Sequence, residues 1–277
     1  MFVRIGSLEL DYPSVMGVLN VTPDSFSDGG KFFAPHEALQ QAGKMVAAGA
    51  EILDVGGEST RPGADPVNEQ EELDRVIPII ESICDEYDVA VSIDTSKPGV
   101  MREAVAAGAA MINDVRSLQA DGALEAAVEL QKPVCLMHMQ GQPRTMQAKP
   151  HYDDVVDEVT QILADRVARC VEAGLGKELL VVDPGFGFGK TPAHNVELLA
   201  NLRQLQRIGC PVLIGVSRKS TLGVITGRDV EDLLPASIAA AVVAVMQGAQ
   251  IVRAHDVAET VDALSVVRKL TESGKQL

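Results

Sequence analysis

The sequence predicts an α/β fold, a single (β/α)8 barrel whose ligand site lies at the C-terminal mouth of the strands. Strand-like and helix-like segments alternate along all 277 residues, and eight βα units of about 35 residues each match the size of such a barrel. No linker, low-complexity tract or change of composition divides the chain. Nearly every strand-like segment ends in polar side chains, which a parallel barrel collects at one mouth. A doubly wound open sheet is the structural alternative, but it would concentrate its chemistry at one switch point.

Composition limits the kinds of ligand that this chain can bind. Apolar residues make up 46% of the sequence and tryptophan is absent, so an aliphatic core is expected. The formal net charge of −15 disfavours binding to nucleic acid, because the surface would repel the phosphates. A phosphate-bearing ligand would therefore need a local positive pocket.

The same composition predicts a soluble cytoplasmic protein. There is no charged-then-apolar leader and no apolar run of membrane length. The four scattered cysteines have no metal-site spacing, so they are expected to be buried thiols in a reducing compartment.

The strand-like segments are short and rich in aliphatic residues, as buried parallel strands are. They lie at 15–21, 51–55, 89–94, 111–115, 134–139, 179–183, 211–217 and 250–255. Helical patterns lie between them at 35–48, 68–87, 122–130, 153–173 and 235–247, with a last one to about 269. Pro98 is placed to open another helix in its first turn.

The stretch 16–30 joins the first strand to a dense polar loop. The strand ends at Pro23, which cannot donate to a sheet ladder, and the loop then holds two Asp, two Ser, a Phe and a Gly pair. A surface turn with its own local hydrogen bonds is the simpler interpretation. Similar polar strand ends recur along the chain, and this recurrence favours a ligand site.

The polar groups at the predicted strand ends differ in kind. They are Asn20, Asp54, Asp94, Asn113, His138, Asp183, Ser217 with Lys219, and Arg253 with His255. A single Asp at a strand end is more often a cap or a turn former. Capping does not explain a full ring of amide, carboxylate, ammonium and guanidinium groups, so the ring predicts a binding site.

This mixture of groups suits a ligand with two different parts. Asp183 and Asn113 fit a heterocycle that carries a ring N–H beside an exocyclic amine, because a carboxylate accepts two such donors at once. Cationic groups for an anion are Lys219, Arg61, Arg253 and His255. Asn20 and the strand–helix junction at 217–220 add neutral donors.

Two motifs are rejected as ligand sites of other kinds. Gly189-Lys190-Thr191 is similar to the end of a phosphate loop, but Pro184 occupies the position of the required first glycine. Met137-His138-Met139 suggests soft metal ligation, yet strand alternation would put the two Met side chains on the face opposite His138. Core packing is therefore expected for at least one Met.

Seven motifs together identify a family. They are LNVTPDSFSDGG at 19–30, DVGGESTRPG at 54–63, SIDT at 92–95, IND at 112–114, DPGFGFGK at 183–190, SRKS at 217–220 and RAHD at 253–256. On these motifs the chain resembles the dihydropteroate synthase family over essentially its whole length. The family commonly has Val where this chain has Ala254, a difference that is expected to be harmless.

The resemblance implies a TIM barrel, with 1–277 as one pterin-binding domain. It implies condensation of 6-hydroxymethyl-7,8-dihydropterin diphosphate with 4-aminobenzoate, which gives 7,8-dihydropteroate and diphosphate in folate biosynthesis. It also implies Mg²⁺, a homodimer, and inhibition by sulfonamides, which mimic 4-aminobenzoate. An SN1-like route is expected, since the electron-rich pterin can carry the positive charge that develops when diphosphate leaves.

The same resemblance assigns residues to each part of this reaction. The catalytic residues would be Asp94, Lys219 and Asp28. The pterin would be bound by Asp94, Asn113, Met137, Asp183, Phe188 and Lys219. The diphosphate would be bound by Asn20, Arg61, Arg253 and His255, with Asn20 also a ligand of the Mg²⁺. The 4-aminobenzoate would be bound by Phe26, Thr60, Pro62, Lys219 and Ser220.

Two alternative functions are weighed against this one. A folate-binding methyltransferase barrel shares the pterin-binding Asp and Asn, but it has no use for the 217–220 junction or the Phe26 loop. A catalytically silent pterin-binding scaffold would be free to lose Asp94, Lys219 or Arg253, and all are present. Pterin binding without turnover would favour the scaffold.

Overall fold

A barrel of parallel strands lies at the centre of the protein and confirms the predicted fold class. The computed structural model describes residues 4–5, 8–9, 13–22, 30–59, 66–141 and 145–273. Within these ranges the strands are β1 (Arg4–Ile5), β2 (Leu8–Glu9), β3 (Ser14–Asn20), β4 (Ile52–Gly56), β5 (Ala90–Asp94), β6 (Met111–Asp114), β7 (Val134–Met137), β8 (Leu180–Asp183), β9 (Leu213–Ile214) and β10 (Ile251–Ala254). β3 to β10 pair in parallel in the order β8–β7–β6–β5–β4–β3–β10–β9.

The two outer strands of this sheet, β8 and β9, meet and close the barrel. A parallel bridge joins Val182 to Val212, and the amide of Val182 donates to the carbonyl of Pro211 at 2.9 Å. The predicted strand 211–217 was too long, since its ladder contains Leu213–Ile214 alone. Pro211 has no N–H to donate, which shortens this strand on its leading side.

Helices cover the outside of the barrel. In the described part of the chain they are α1 (Gly30–Ala47), α2 (Glu69–Glu86), α3 (Pro98–Ala106), α4 (Ala123–Leu130), α5 (Val155–Glu172), α6 (Pro192–Ala200), α7 (Ser220–Thr226), α8 (Leu234–Met246) and α9 (Val257–Glu272). Side-chain caps fix several starts. Asn68 accepts from the amide of Glu71 at 2.9 Å before α2, and Asp154 accepts from the amide of Asp157 at 2.9 Å before α5.

Strand side chains alternate between the barrel interior and the helix layer. An apolar layer fills the interior near the N-terminal ends of the strands: Ile5, Met16, Ile52, Met111, Cys135, Val181, Leu213 and Ile251. Their strand neighbours, such as Leu53 and Val182, belong to the larger core between strands and helices. Because this alternation has a period of two, the next interior residue lies two positions closer to the mouth.

The first residues add a feature that the sequence pattern did not predict. β1 and β2 pair as a short antiparallel ladder, Arg4 with Glu9 and Ile5 with Leu8. Ile5 is fully buried and joins the apolar layer inside the barrel. The pair therefore closes the end of the barrel opposite the mouth.

The cysteine prediction is wrong for one residue. Cys135, Cys170 and Cys210 are buried free thiols, but Cys84 is exposed on α2. The buried face of α2 is centred on Val76, Ile79 and Ile83, and Cys84, one residue after Ile83, is rotated by roughly 100° from it. Among the helices described, none has both the length and the apolar character that a membrane span requires.

Candidate active site

Polar side chains replace the apolar layer at the C-terminal end of the strands. Asp54 on β4, Asn113 on β6, Asp183 on β8 and Arg253 on β10 each stand two positions after an apolar interior residue. The period of two therefore carries them onto the same inward face. Asp94 ends β5 and pairs in register with Asn113 on the neighbouring strand.

Arg253 and Asp54 form the centre of a hydrogen-bond network across the barrel. Nε of Arg253 donates to Oδ2 of Asp54 at 2.6 Å, and its Nη2 donates to Oδ2 of Asp94 at 3.0 Å. The same Asp54 oxygen accepts from Nδ2 of Asn113 at 2.9 Å. Two carboxylates, one amide and one guanidinium from four strands are thus held together.

Burial sets the protonation of this network. Desolvation, with the charge of Asp54 next in size, raises the pKa of Asp94 from 3.8 to about 7, and Arg253 opposes the rise. Desolvation would lower the pKa of Arg253, but Asp54 and Asp94 outweigh it and raise that pKa above its usual range. Arg253 therefore stays a cation, while Asp94 changes its charge near neutral pH.

Asp183 and Lys219 form a second charged pair of groups on the opposite side of the mouth. Oδ1 of Asp183 accepts from the amide of Gly185 at 2.7 Å, and burial raises the pKa of Asp183 to about 6. Burial and then the charge of Arg253 lower the pKa of Lys219 to about 8, against the pull of Asp183. Nζ of Lys219 lies 4.2 Å from the ring centroid of Phe188, within cation–π distance.

The loop 184–190 is fixed from behind by a buried lysine. Lys190 is 2% exposed, and its Nζ donates to the carbonyls of Gly185 and Phe188, each at 3.0 Å, and lies 2.9 Å from Nδ1 of His138. Burial, with the charge of Lys190 second, lowers the pKa of His138 to about 3. His138 is therefore a neutral imidazole whose Nδ1 can accept from Nζ of Lys190, and burial lowers the pKa of Lys190 itself to about 7.

Asn20 and His255 stand on neighbouring strands at the mouth. A side chain added at Gly56 would lie 3.7 Å from Oδ1 of Asn20 and 3.8 Å from Oδ2 of Asp94, so both groups border the same gap. Nδ1 of His255 lies 3.0 Å from Oγ of Ser217. Burial and then Arg253 lower the pKa of His255 to about 4, which leaves it neutral near pH 7.

The remaining predicted site residues divide into two groups. Met137 is buried beside Asp183 in the β7–β8 pairing, and Ser220 is the exposed first residue of α7, directly after Lys219. Five of the predicted residues lie outside the described part of the chain: Phe26, Asp28, Thr60, Arg61 and Pro62. Their assignments stay predictions from the sequence.

The donor set for Mg²⁺ is small. Within the described ranges no group of three His, Cys, Asp or Glu side chains is placed to hold a metal ion. Asn20 offers an amide oxygen at the mouth, a ligand type that Mg²⁺ accepts when substrate phosphates supply the others. The residues present therefore fit a metal that arrives with a diphosphate, not one that is held in an all-protein cage.

Two residues of the predicted ring are not at the mouth. His138 turns away to Lys190, because β7 ends at Met137 and the strict alternation ends with it. Asp54 has no exposed surface and lies one layer below the mouth. The support of the loop by Lys190 was not assigned from sequence, nor were the hydrogen bonds that join Asp54 to its neighbours. A charged residue inside an apolar strand could have indicated the buried position of Asp54, because such a charge needs partners.

The arrangement offers distinct surfaces for distinct chemical groups. Asp183 and Asn113 present acceptor atoms for a donor-rich ring, with Met137 and Phe188 beside them. Arg253, His255 and Asn20 present donors for an anion. Asp94 lies between the two sets, where its carboxyl group borders both.

The chain is similar to one family of known proteins. Residues 16–255 match the family model described as "Pterin binding enzyme". The chain is 53% identical over 276 residues to the dihydropteroate synthase of Escherichia coli K12, covering 100% of this chain and 98% of that protein. It superposes on the Yersinia pestis dihydropteroate synthase in complex with a sulfonamide drug with a TM-score of 0.93, at 51% identity over 98% of this chain and 100% of that one. For the Xanthomonas albilineans dihydropteroate synthase with 4-aminobenzoic acid the TM-score is 0.92, at 49% identity over 98% of both chains.

Proposed function

The chain belongs to the pterin-binding enzymes and, among them, to the dihydropteroate synthases, and from this premise we propose how its barrel mouth works. These enzymes are transferases that make dihydropteroate in folate biosynthesis. The substrates here are 6-hydroxymethyl-7,8-dihydropterin diphosphate and 4-aminobenzoate, and sulfonamides compete with the latter. The observation that carries the proposal is the network in which Arg253 joins Asp94 to Asp54, and Asp54 in turn binds Asn113.

The pterin ring lies between β6 and β8 in this proposal. Asp183 accepts from adjacent ring donors, and Asn113 contributes its amide from the other side. Met137 and Phe188 contact the faces of the ring, and Lys219 lies above Phe188. Asp94 stands next to the carbon that reacts.

The diphosphate lies on the side of β3 and β10. Arg253 binds it as a permanent cation, and Asn20 and neutral His255 contribute uncharged contacts, with Arg61 expected to join from the loop after β4. When bound, Mg²⁺ neutralises part of the leaving group's charge, with Asn20 as its ligand from the protein.

The reaction follows an SN1-like route. The bond between the methylene carbon and the diphosphate oxygen breaks, and both electrons leave with the diphosphate. The cation is delocalised into the pterin, where Asp94 stabilises it. The neutral amine of 4-aminobenzoate then bonds the carbon and releases a proton, so a strong general base is not required.

The 4-aminobenzoate approaches from the other side of Lys219. Its carboxylate is placed at the start of α7, by Lys219 and Ser220, and Phe26, Thr60 and Pro62 complete its site. Asp28, the third predicted catalytic residue, belongs to the same loop as Phe26.

The function is tested with purified protein, both substrates and Mg²⁺ in an assay for dihydropteroate. We expect one dihydropteroate and one diphosphate per turnover. Pterin binding without product would favour a silent scaffold, and methyl transfer would favour the related methyltransferases.

The route is tested by ¹⁸O scrambling in the pterin diphosphate without 4-aminobenzoate. Scrambling supports a cation, whereas turnover without any scrambling supports direct displacement.

We also propose a cytoplasmic homodimer. Four free thiols fit a reducing compartment.

The proposed dimer contact lies on α7 and α8. Val224 and Ile225 on α7 are 68% and 59% exposed, and Val243 and Met246 on the adjacent α8 are each 42% exposed. Aliphatic surface on two packed helices is typical of a subunit contact. Light scattering should give a dimer for the wild type and a monomer for Val224→Glu, while Val266→Glu on α9 should stay dimeric. A monomeric wild type would reject the proposal.

A further inference from the structure

Asp54 is a charged residue that the proposed reaction does not use directly. Its side chain has no exposed surface, so it lies below the ligand groups and is covered by them. An isolated carboxylate at such a depth is costly, and buried charges are kept where partners compensate them. The partners of Asp54 therefore indicate what it does.

These partners are two residues of different parts of the mouth. Oδ2 of Asp54 accepts from Arg253 at 2.6 Å and from Asn113 at 2.9 Å. Arg253 stands two strands from β4 in one direction and Asn113 two strands in the other. One oxygen atom thus connects the diphosphate side of the site to the pterin side.

The chemistry of a carboxylate makes this connection directional. Oδ2 of Asp54 accepts from Nδ2 of Asn113, so the nitrogen of this amide faces Asp54 and its oxygen does not. Oδ1 of Asn113 is then the amide atom that remains to accept from a ligand. Arg253 is likewise held by Nε, with Nη2 on Asp94, and this fixes the plane of the guanidinium.

We propose that Asp54 is the positioning residue that sets Asn113 and Arg253 relative to each other, and so aligns the ring with the C–O bond that breaks. The inference rests on the proposed function and adds a residue to it that touches no substrate. Oδ1 of Asp54 is buried and has no hydrogen-bond partner within the part of the chain that the structure describes. Such an atom costs stability, and a local cost of this kind is typical of a functional site.

The test is Asp54→Asn, which keeps the shape and removes the charge. The KM for pterin diphosphate should rise at least tenfold, and so should the inhibition constant of inorganic diphosphate, while the KM for 4-aminobenzoate stays within about threefold. If Asp54→Asn reduced the fraction of folded protein but left both constants at their wild-type values, the role of Asp54 would be merely structural. Asp54→Ser is the second variant, for use if Asp54→Asn folds poorly. Because KM does not depend on the concentration of active enzyme, the folded fraction of either variant is enough to measure it.

Ser92→Ala is the matched control. Ser92 is the register partner of Asp54 on β5 and is equally buried, and its Oγ likewise has no hydrogen-bond partner among the described residues. Ser92→Ala should leave the KM for pterin diphosphate and the inhibition constant of inorganic diphosphate within about twofold of the wild type. An equal rise in both variants would show that any change in this layer disturbs the mouth, and would overturn the proposal.

A double-mutant cycle tests whether Asp54 acts through Arg253. In the Arg253→Gln background, Asp54→Asn should change the inhibition constant of diphosphate by less than about threefold. If Asp54→Asn changed this inhibition constant by the same factor in both backgrounds, Asp54 would not act through Arg253. If the wild type makes no dihydropteroate, the proposed function fails first; if it does and Asp54→Asn behaves as wild type, the positioning role alone fails.

Discussion

Among the described residues, three strand carboxylates face the interior of the barrel, and their hydrogen-bond partners differ. Asp54 is bound by Arg253 and Asn113, and Asp94 shares Arg253. Asp183 instead accepts from the amide of Gly185, and Lys219 acts on it by charge. Its second oxygen is therefore the one best placed for a ligand donor. In the proposed reaction, the same residue type therefore has three uses: Asp183 binds the ligand, Asp94 stabilises charge and Asp54 positions its neighbours.

Asp183→Ala should abolish pterin binding and leave the barrel folded. The change removes a charge-assisted acceptor and leaves ligand donors unpaired, which lowers affinity by about 100-fold or more. Calorimetry with a pterin measures the affinity, and thermal unfolding controls for the fold. A pterin affinity within about threefold of the wild type would refute the assignment.

Asp94→Asn should lower turnover much more than pterin binding. The amide keeps the shape but loses the charge opposite the developing cation, so kcat should fall by about 100-fold or more. In the wild type, kcat/KM should decline as the pH falls through about 7 to 6, where Asp94 and then Asp183 gain protons. In the variant this decline should begin nearer pH 6. A defect seen mainly in pterin affinity would make Asp94 an anchor only.

The same substitution should stabilise the protein at high pH. The pKa of Asp94 rises from 3.8 to about 7 on folding, so the folded state binds the proton more tightly. Stability from this group is then highest below pH 3.8 and declines as the pH rises to 7. Asp94→Asn should add roughly 1–3 kcal/mol at pH 8 and little at pH 4. Urea unfolding at both values measures this, and equal gains would contradict the sign.

At the scale of elements, the loop 184–190 is the part whose conformation is most tightly prescribed. Gly185 has φ +68°, and a Cβ there would lie 1.9 Å from the carbonyl oxygen of His138. Its amide holds Asp183, and Lys190 binds its carbonyl. A shift of this loop therefore moves the carboxylate of Asp183 and the ring of Phe188 together.

Gly185→Ala should cost both stability and pterin affinity. Gly227 is the matched control, with φ +67° and no atom within 4 Å of an added Cβ. Gly227→Ala should cost about 1–2 kcal/mol from its backbone alone, without any change in pterin affinity. Chemical unfolding and calorimetry of both variants separate the clash from the backbone effect. Equal losses in the two variants would mean that the contact with His138 has no consequence.

The elements were predictable where pattern and period agree. All eight barrel strands lie within or beside their predicted ranges, because apolar runs that end in polar residues repeat regularly. α6 was not predicted, since it begins directly after the Gly-Phe loop and its capping box uses His194 in place of the usual Glu. The pairing of β1 with β2 was also missed, because strands of two residues leave no periodic signal.

The site was predictable to the extent that it depends on strand ends. Asp94, Asn113, Asp183 and Arg253 lie at the mouth because the carboxyl ends of parallel strands share one edge. The sequence did not predict which of these strand side chains reach the mouth and which lie below it. Whether Asp54 touches a ligand depends on the stagger between strands, and the contact of His138 with Lys190 joins residues 52 positions apart.

For the molecule as a whole, we predict ordered binding with pterin diphosphate first. The described pterin residues are on or beside strands, whereas the 4-aminobenzoate site also needs Phe26, Thr60 and Pro62 from the two loops that follow β3 and β4. Polar, Gly-rich loops at a barrel mouth often act as lids. Titrating a sulfonamide with and without a pterin, diphosphate and Mg²⁺ tests the order. Similar micromolar affinity in both titrations would mean that the site is preformed.

The closure between β8 and β9 has a consequence for motion. The two strands are joined by one bridge, Val182 to Val212, while β3 and β4 share a register of five pairs. Thermal opening of the barrel should therefore begin at this join, and amide hydrogens on both sides of it should exchange with solvent sooner than those of β4. Asp183 ends one of these strands and Lys219 follows the other. A pterin that contacts both would fasten the barrel at its weakest join, and slower amide exchange there would report the first substrate before any chemistry.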